Sequence, residues 1–201
     1  MDGEHSFAAI EETFKRTVAA LDRGGVPFLL GGTLACWARG GPEARNDLDF
    51  VLKEEDAEPA LAALVDAGMR SEHPSEDWLV KAWDGEVLVD LIHHPIGLEV
   101  TDEVIARGTI HDVAAMRVRV MALEDVLTSK LLALGEHSLD LESALGIARA
   151  LREQIDWSEV RARTSSSPYA RAFLTLLSEL GIVAQEASAA SHPPPRVRVV
   201  S

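Results

Sequence analysis

Two acidic residues in the first half of the chain are spaced so that both carboxylates can bind the same ligand. Asp47 and Asp49 open the apolar segment 47–52, whose composition is typical of a strand. Residues two apart on a strand point to the same face, so both carboxylates emerge on one side, about 6–7 Å apart. Carboxylate oxygens are hard ligands, and this spacing predicts that the pair can hold a divalent cation.

A third acid interrupts the later apolar segment 87–92 once, at Asp90. An Asp-Gly pair joins this segment to another, 78–83, which predicts a β-hairpin. A carboxylate buried alone in a strand would cost several kcal/mol. Asp90 therefore needs a basic partner, such as Lys81 or an arginine, or a metal-lined cleft. If its strand pairs with the strand of the first two acids, three carboxylates converge, as two-metal phosphoryl transfer requires.

A double glycine precedes the acidic pair. The predicted strand 26–30 runs into Gly31 and Gly32, and a short helix is predicted from Thr33 to Arg39. Glycine provides backbone conformations that a strand-to-helix turn often needs, which is sufficient reason for its presence. Backbone N–H groups at the start of a helix also bind phosphate, so the same turn is a candidate phosphate cradle.

The ordered set of Gly-Gly, Asp-x-Asp and a lone strand aspartate resembles the nucleotidyltransferase superfamily that includes DNA polymerase β. The fourteen residues between Gly32 and Asp47 are at the long end of the gap in that family. The resemblance covers roughly residues 25–155. It implies an α+β nucleotidyltransferase fold, with a small mixed β-sheet flanked by helices and a C-terminal helical bundle.

A later segment resembles one branch of that superfamily, the AbiEii/MenT-type nucleotidyltransferases, several of which are toxins of toxin–antitoxin pairs. In the segment 123–134 a lysine, Lys130, begins a Lys-Leu-x-Ala-Leu run, and an acid follows. Asp140 and Glu142 both compete for that acidic position. The resemblance implies that Lys130 contacts the triphosphate of a nucleotide. The alternatives are a lysine that only snorkels from the helix edge and an Asp140 that only stabilises a helix start.

The resemblance also implies the reaction, a Mg²⁺-dependent transfer of an NMP from an NTP such as ATP to an acceptor hydroxyl. The residues expected to bind metal are Asp47, Asp49 and Asp90, and the catalytic set adds Lys130. The residues expected to bind the nucleotide are Gly31, Gly32, Thr33, Lys130 and Asp140.

The acceptor is less well defined by the sequence. The toxin-type resemblance implies a tRNA 3′ end, with a cognate antitoxin as partner, and the five arginines within residues 143–173 offer a surface for acceptor phosphates or only a solvated helical face. Against RNA, the net charge is −14, and residues 1–100 carry 20 Asp and Glu but 8 Lys and Arg. An aminoglycoside-type small-molecule acceptor is the alternative, and a catalytically silent binding protein on the same fold is a third possibility.

Length and composition indicate a globular protein. With 201 residues, 47% of them apolar, we expect a catalytic domain (1–122), a helical region (123–184) and a flexible tail (185–201). No apolar run is long enough to span a membrane. The lone Cys36 and the absence of a signal-like N-terminus favour the cytoplasm.

The remaining elements follow from hydrophobic spacing and helix signals. Short strands are expected at 109–113 and 118–121. Helices are expected at 7–21, 55–67, 104–106, 123–134, 139–151, 158–162 and 168–180.

Overall fold

The computed structural model describes residues 7–43 and 48–184, and in these residues seven strands form one mixed sheet. The strands are β1 (Leu29–Leu30), β2 (Leu48–Val51), β3 (Arg70–Glu72), β4 (Leu79–Asp84), β5 (Val87–Ile92), β6 (Thr109–Val113) and β7 (Met116–Val120). Their order across the sheet is β3-β4-β5-β2-β1-β7-β6. β2 runs parallel to β5, and β1 runs parallel to β7, while the other neighbours are antiparallel.

Helices flank this sheet, and four of them follow it in the chain. The α-helices of the described residues are α1 (Phe7–Gly24), α2 (Gly32–Trp37), α3 (Ala57–Asp66), α4 (Asp102–Arg107), α5 (Leu123–Leu132), α6 (Leu141–Leu151), α7 (Trp157–Thr164) and α8 (Pro168–Glu179). A 3₁₀ turn (Glu54–Asp56) leads into α3, and another (Arg152–Gln154) ends α6. None of these helices is long and apolar enough to cross a membrane.

The predicted fold class is confirmed, and the predicted strands differ in two places. The first strand is shorter than 26–30, because the Val26 amide donates to the Leu21 carbonyl (3.1 Å) and closes the end of α1. The short strand β3 was missed, since its residues are polar and largely exposed and show no apolar alternation. The β4–β5 hairpin is confirmed, and its turn contains Gly85 at φ +61°.

The two faces of the sheet differ in character. On one face, side chains such as Phe50, Val89 and Leu91 are fully buried. Helix α1 covers this face, and Phe14 stacks on Phe50 with ring centroids 6.2 Å apart. Because side chains alternate along a strand, Asp49 points to the other face, which is only partly covered. The apolar core therefore decides which face carries the acids.

Side chains cap the N-terminal ends of helices α6, α7 and α8. Asp156 caps α7 by accepting from the amides of Ser158 and Glu159, and Ser167 caps α8 by accepting from the Ala170 amide. Helix α6 begins two residues later than predicted, because Asp140 is its N-cap rather than part of it. The proposed division into domains at residue 122 stays a prediction, since α5 packs against α2 as well as against α6, α7 and α8.

A buried carboxylate joins three of these elements. Asp125 on α5 is 1% exposed at its side chain and accepts from Arg107 with both oxygens, at 2.6 and 2.8 Å. Arg163 on α7 also donates to Asp125, at 2.7 Å, and to Glu159, at 2.9 Å. A carboxylate this buried needs such partners to offset its lost hydration. The cluster therefore fixes the position of α5 relative to α4 and α7.

Removing this carboxylate should destabilise the fold. We expect Asp125→Ala to lower the free energy of unfolding by about 3 kcal/mol or more, because two arginines lose their buried partner. Denaturant unfolding followed by circular dichroism measures this loss. The matched control is Glu12→Ala, which removes an exposed carboxylate from α1 and should change stability by less than about 0.5 kcal/mol. Equal stabilities for the two variants would contradict this account of the cluster.

Candidate active site

The double glycine lies where β1 turns into α2. The Gly31 amide donates to the Asp49 carbonyl (2.8 Å), which continues the β1–β2 pairing by one residue. Gly32 begins α2 with φ +54°, a conformation that favours glycine. A Cβ atom on Gly32 would lie 1.7 Å from the Asp49 Oδ2 atom. Glycine is thus required here for two reasons, the backbone angle and the close approach of the carboxylate.

Two of the three predicted acids are neighbours in the sheet. Asp49 on β2 and Asp90 on β5 are register partners in a parallel pair, so their side chains share one face on adjacent strands. The pairing of these two strands, on which a convergence of the acids depends, is present in the structure. The third acid, Asp47, lies outside the described residues.

Lys81 lies beside Asp90 on the next strand of the sheet. It is the register partner of Asp90 across the antiparallel β4–β5 pair, and no ion pair of Lys81 occurs within residues 7–43 and 48–184. The row across the open face is therefore Gly31, Asp49, Asp90 and Lys81, on four adjacent strands. The glycine turn, which is the candidate phosphate cradle, lies at one end and a lysine at the other.

The predicted lysine and its acid are in contact. Lys130 Nζ donates to Asp140 Oδ2 at 3.1 Å, and Asp140 also accepts from the Ser143 amide at 3.2 Å. Although burial raises the pKa of Asp140, the hydrogen bonds from Lys130 and Ser143 together hold it below its ordinary value. Glu142, the competing acid, is not the partner of Lys130 in the structure.

A cavity of about 200 Å³ brings together four of the predicted site residues, Gly32, Thr33, Asp49 and Lys130, whereas Gly31, Asp90 and Asp140 do not line it. Its polar lining comes from the β1–α2 turn, β2 and α5, and its apolar lining from the ends of β2, β5 and β7, the loop after β5, α5 and α6. The lining residues are Gly32, Thr33, Asp49, Val51, Ile92, Pro95, Met121, Val126, Ser129, Lys130 and Ile147. The sequence did not point to the apolar members or to Ser129, because they come from separate elements and carry no recognisable spacing.

A larger cavity of about 560 Å³ adjoins the first, and Thr33 and Ile147 line both. Three carboxylates line it, from Glu43, Asp140 and Glu142, against one cation, Arg149. Cys36 also lines it, but burial raises the pKa of this thiol to about 12, so it stays protonated and unreactive at neutral pH. The charge of this cavity favours a positively charged occupant.

The predicted metal site stays a prediction, and the arrangement of the described donors shows what it could hold. Asp49 and Asp90 offer hard oxygen ligands side by side, and Gly32 leaves room for the Asp49 carboxylate against the backbone. Among the described residues, no three His, Cys, Asp or Glu side chains form a metal site. The donors that are described suit a divalent cation that completes its coordination with phosphate oxygens and water.

A family model described as "Uncharacterised nucleotidyltransferase" matches residues 8–180, most of the chain, and the protein belongs to that family. It is therefore a nucleotidyltransferase. No curated protein matches the sequence.

Solved structures with this fold are similar to the chain at low identity. The antibiotic-resistance factor ANT(2″)-Ia in solution has a TM-score of 0.62 and 17% identity, over 87% of this chain and 97% of that one. A crystal structure of ANT(2″)-Ia with adenylyl-2″-tobramycin has a TM-score of 0.60 and 18% identity, over 84% and 98%. A proposed nucleotidyltransferase from Thermotoga maritima has a TM-score of 0.51 and 14% identity, over 64% and 86%. At these identities the likeness supports the fold alone.

The contact between Gly32 and Asp49 gives a direct test of the site. We expect Gly32→Ala to displace the Asp49 carboxylate, and so to weaken Mn²⁺ binding at least tenfold as well as lowering stability. The control is Gly25→Ala, which has a similar φ of +65° but open space around the added Cβ. Gly25→Ala should lower the free energy of unfolding by about 1–2 kcal/mol, which is the cost of placing alanine at positive φ, and should leave Mn²⁺ binding unchanged. Titration with Mn²⁺ followed by electron paramagnetic resonance measures the binding, and unchanged affinity in Gly32→Ala would refute the contact.

Proposed function

We propose that the protein is a Mg²⁺-dependent nucleotidyltransferase that transfers an NMP from an NTP to a hydroxyl of a small, positively charged acceptor. The observation that carries the proposal is the pairing of Asp49 with Asp90 beside a cavity that Gly32 and Lys130 also line. Carboxylates, bare backbone amides and a lysine are the groups that hold a metal-bound triphosphate.

Each group has a role that follows from its position. Asp49 and Asp90 would hold divalent cations, together with Asp47, which lies outside the described residues, and the cations would stabilise charge on the leaving pyrophosphate. The backbone at Gly32 and the hydroxyl of Thr33 donate to the phosphates. Asp90 accepts the proton of the acceptor hydroxyl. The oxygen of the acceptor hydroxyl then forms a bond to the α-phosphorus, while the bond from that phosphorus to the pyrophosphate oxygen breaks.

The choice of a cationic acceptor rests on charge. The larger cavity adjoins the first, and its lining of three carboxylates, of which Asp140 is paired with Lys130, against one arginine keeps an excess of acidic groups that suits an amine-bearing alcohol. The arginines of the last helices, a candidate surface for RNA phosphates, are largely engaged within the protein. The contacts are those of Arg152 with Glu153, Arg163 with Asp125 and Glu159, and Arg171 with the Ser165 carbonyl. The complex of ANT(2″)-Ia with adenylyl-2″-tobramycin shows that the fold accommodates such an acceptor in that protein.

A tRNA 3′ end is the second candidate acceptor, with a cognate antitoxin as partner. The contact between Lys130 and Asp140 favours it, because that lysine and acid carry the resemblance to AbiEii/MenT-type toxins. The two candidates differ in the charge of the acceptor, so one assay separates them.

The acceptor assay uses NTPs labelled at the α-phosphate, with Mg²⁺ and either total tRNA or an aminoglycoside such as tobramycin. We expect label on the aminoglycoside. Label on tRNA alone would replace the proposed acceptor by the second candidate. Label on neither acceptor, with no release of pyrophosphate, would count against transfer to either class.

The metal-binding role of Asp49 predicts a large loss of activity in Asp49→Asn. Groups that only orient a metal ligand contribute up to about 100-fold, so we expect a larger loss when the ligand itself is changed. The control, Asp66→Asn, alters an exposed carboxylate on α3 and should keep full activity. Pyrophosphate release measures the rate, and circular dichroism checks that both variants fold. Normal turnover in Asp49→Asn would exclude the assignment.

The role of Lys130 is tested by Lys130→Met, which keeps the aliphatic stem and removes the charge. If Lys130 neutralises the triphosphate, the rate falls about 10²–10³-fold. Asp140→Asn is the matched control, since asparagine still caps α6 but cannot form the ion pair. Because the ion pair is partly exposed, its contribution to stability is small, and we expect Asp140→Asn to reduce the rate much less than Lys130→Met does. Equal losses would show that Lys130 acts only through Asp140.

A further inference from the structure

Helix α5 presents three residues to the first cavity. Val126, Ser129 and Lys130 all line it, and their spacing of three and four places them on one face of the helix. Lys130 is already engaged by Asp140, and Val126 is apolar. Ser129 is thus a neutral polar group between an apolar wall and a cation.

The Ser129 hydroxyl lacks the partner that several other helical hydroxyls have, as do the hydroxyls of Thr17 and Thr128 among the described residues, but of these three residues Ser129 alone lines the first cavity. Thr164, Thr175 and Ser178 each donate to the carbonyl four residues back in their own helix, at 2.8, 2.9 and 3.1 Å. Within the described residues, the Ser129 oxygen is buried and has no hydrogen-bond partner. A buried hydroxyl without a partner is unfavourable, so such a group in a native structure calls for an explanation. Rotation about χ1 changes the direction of the hydroxyl without moving the helix.

The lining of the cavity has two chemically different parts. One is polar and includes Gly32, Asp49 and Lys130. The rest of the lining is apolar and consists of Val51, Ile92, Pro95, Met121, Val126 and Ile147. A nucleoside triphosphate has the same two characters, a charged phosphate chain and a flat, largely apolar base with a polar edge.

We infer that the apolar part of this cavity seats the base of the NTP, and that the Ser129 hydroxyl is the group that hydrogen-bonds its edge. The inference rests on the proposed function, because it assumes that the phosphates lie at Gly32 and Lys130. A hydroxyl both donates and accepts. Ser129 therefore pairs with an amino or a carbonyl group of a base, and it favours binding of nucleotides over bare polyphosphate without strict selection of one base.

The test compares nucleotides with a ligand that has phosphates but no base. Isothermal titration calorimetry with Mg²⁺ measures the Kd of ATP, GTP, CTP, UTP, ribose 5′-triphosphate and inorganic tripolyphosphate for the wild-type protein and for Ser129→Ala. Ribose 5′-triphosphate lacks only the base, so equal weakening of its binding and of NTP binding by Ser129→Ala would place the hydroxyl on the sugar and overturn the inference. We expect wild type to bind at least one NTP about tenfold or more tighter than tripolyphosphate. Loss of one hydrogen bond should weaken NTP binding about 3- to 10-fold in Ser129→Ala, while the Kd of tripolyphosphate changes less than twofold.

Thr128→Val is the matched control. Thr128 is the preceding residue of α5, its hydroxyl is also buried without a partner in the described chain, and it does not line the cavity. The added Cβ of a substituted Gly97 would lie 3.5 Å from Thr128, which places Thr128 against the loop after β5. Thr128→Val should leave the Kd of the NTPs and the Kd of tripolyphosphate unchanged.

A second variant, Val126→Phe, adds bulk to the apolar part of the cavity lining. It should weaken NTP binding strongly and leave tripolyphosphate binding nearly unchanged. Equal weakening of NTP and tripolyphosphate by Ser129→Ala would make Ser129 a phosphate ligand and overturn the inference. Unchanged NTP binding in both cavity variants would also overturn it. If neither NTP nor tripolyphosphate binds the wild-type protein, the proposed function itself fails.

Discussion

The register between β2 and β5 is the constraint on which the site depends. In this parallel pair Asp49 lies beside Asp90, and on the opposite face Phe50 lies beside Leu91. A slip of one residue in either strand would turn that strand's acid into the core and its apolar side chain toward the cleft. The burial of Phe50 and Leu91 under α1 and α3 therefore fixes the position of the carboxylates. The same packing that stabilises the fold assembles the site.

The second requirement is a sharp turn beside those carboxylates. Gly32 has positive φ, and its Cα lies against the Asp49 side chain. The turn also begins α2, so the first amides of that helix are presented next to Asp49. One pair of glycines thus positions the Asp49 carboxylate and the first amides of α2 together. A single added methyl group at Gly32 would disturb both.

The cleft is completed by the helices that follow the sheet. Helix α5 carries Ser129 and Lys130, and the buried contacts of Asp125 with two arginines hold it to α4 and α7. Helix α6 begins at Asp140, which contacts Lys130 across the loop between the helices. Helices α5 and α6 provide part of the lining of the first cavity, and α6 provides most of the lining of the second, so these helices and the sheet together would select the base and the acceptor.

The sequence alone predicted the fold class, the β4–β5 hairpin and the glycine turn, because each rests on a local pattern or on the order of motifs in the resembled superfamily, whereas the pairing that places Asp49 beside Asp90 entered only as a condition. It could not predict Ser129 or the acidic second cavity. These depend on residues far apart in the chain that meet only when α5 and α6 pack over the open face of the sheet. Hydrophobic alternation determines which face of an element is buried, but the groups that meet across a cleft are decided by how the elements pack in three dimensions.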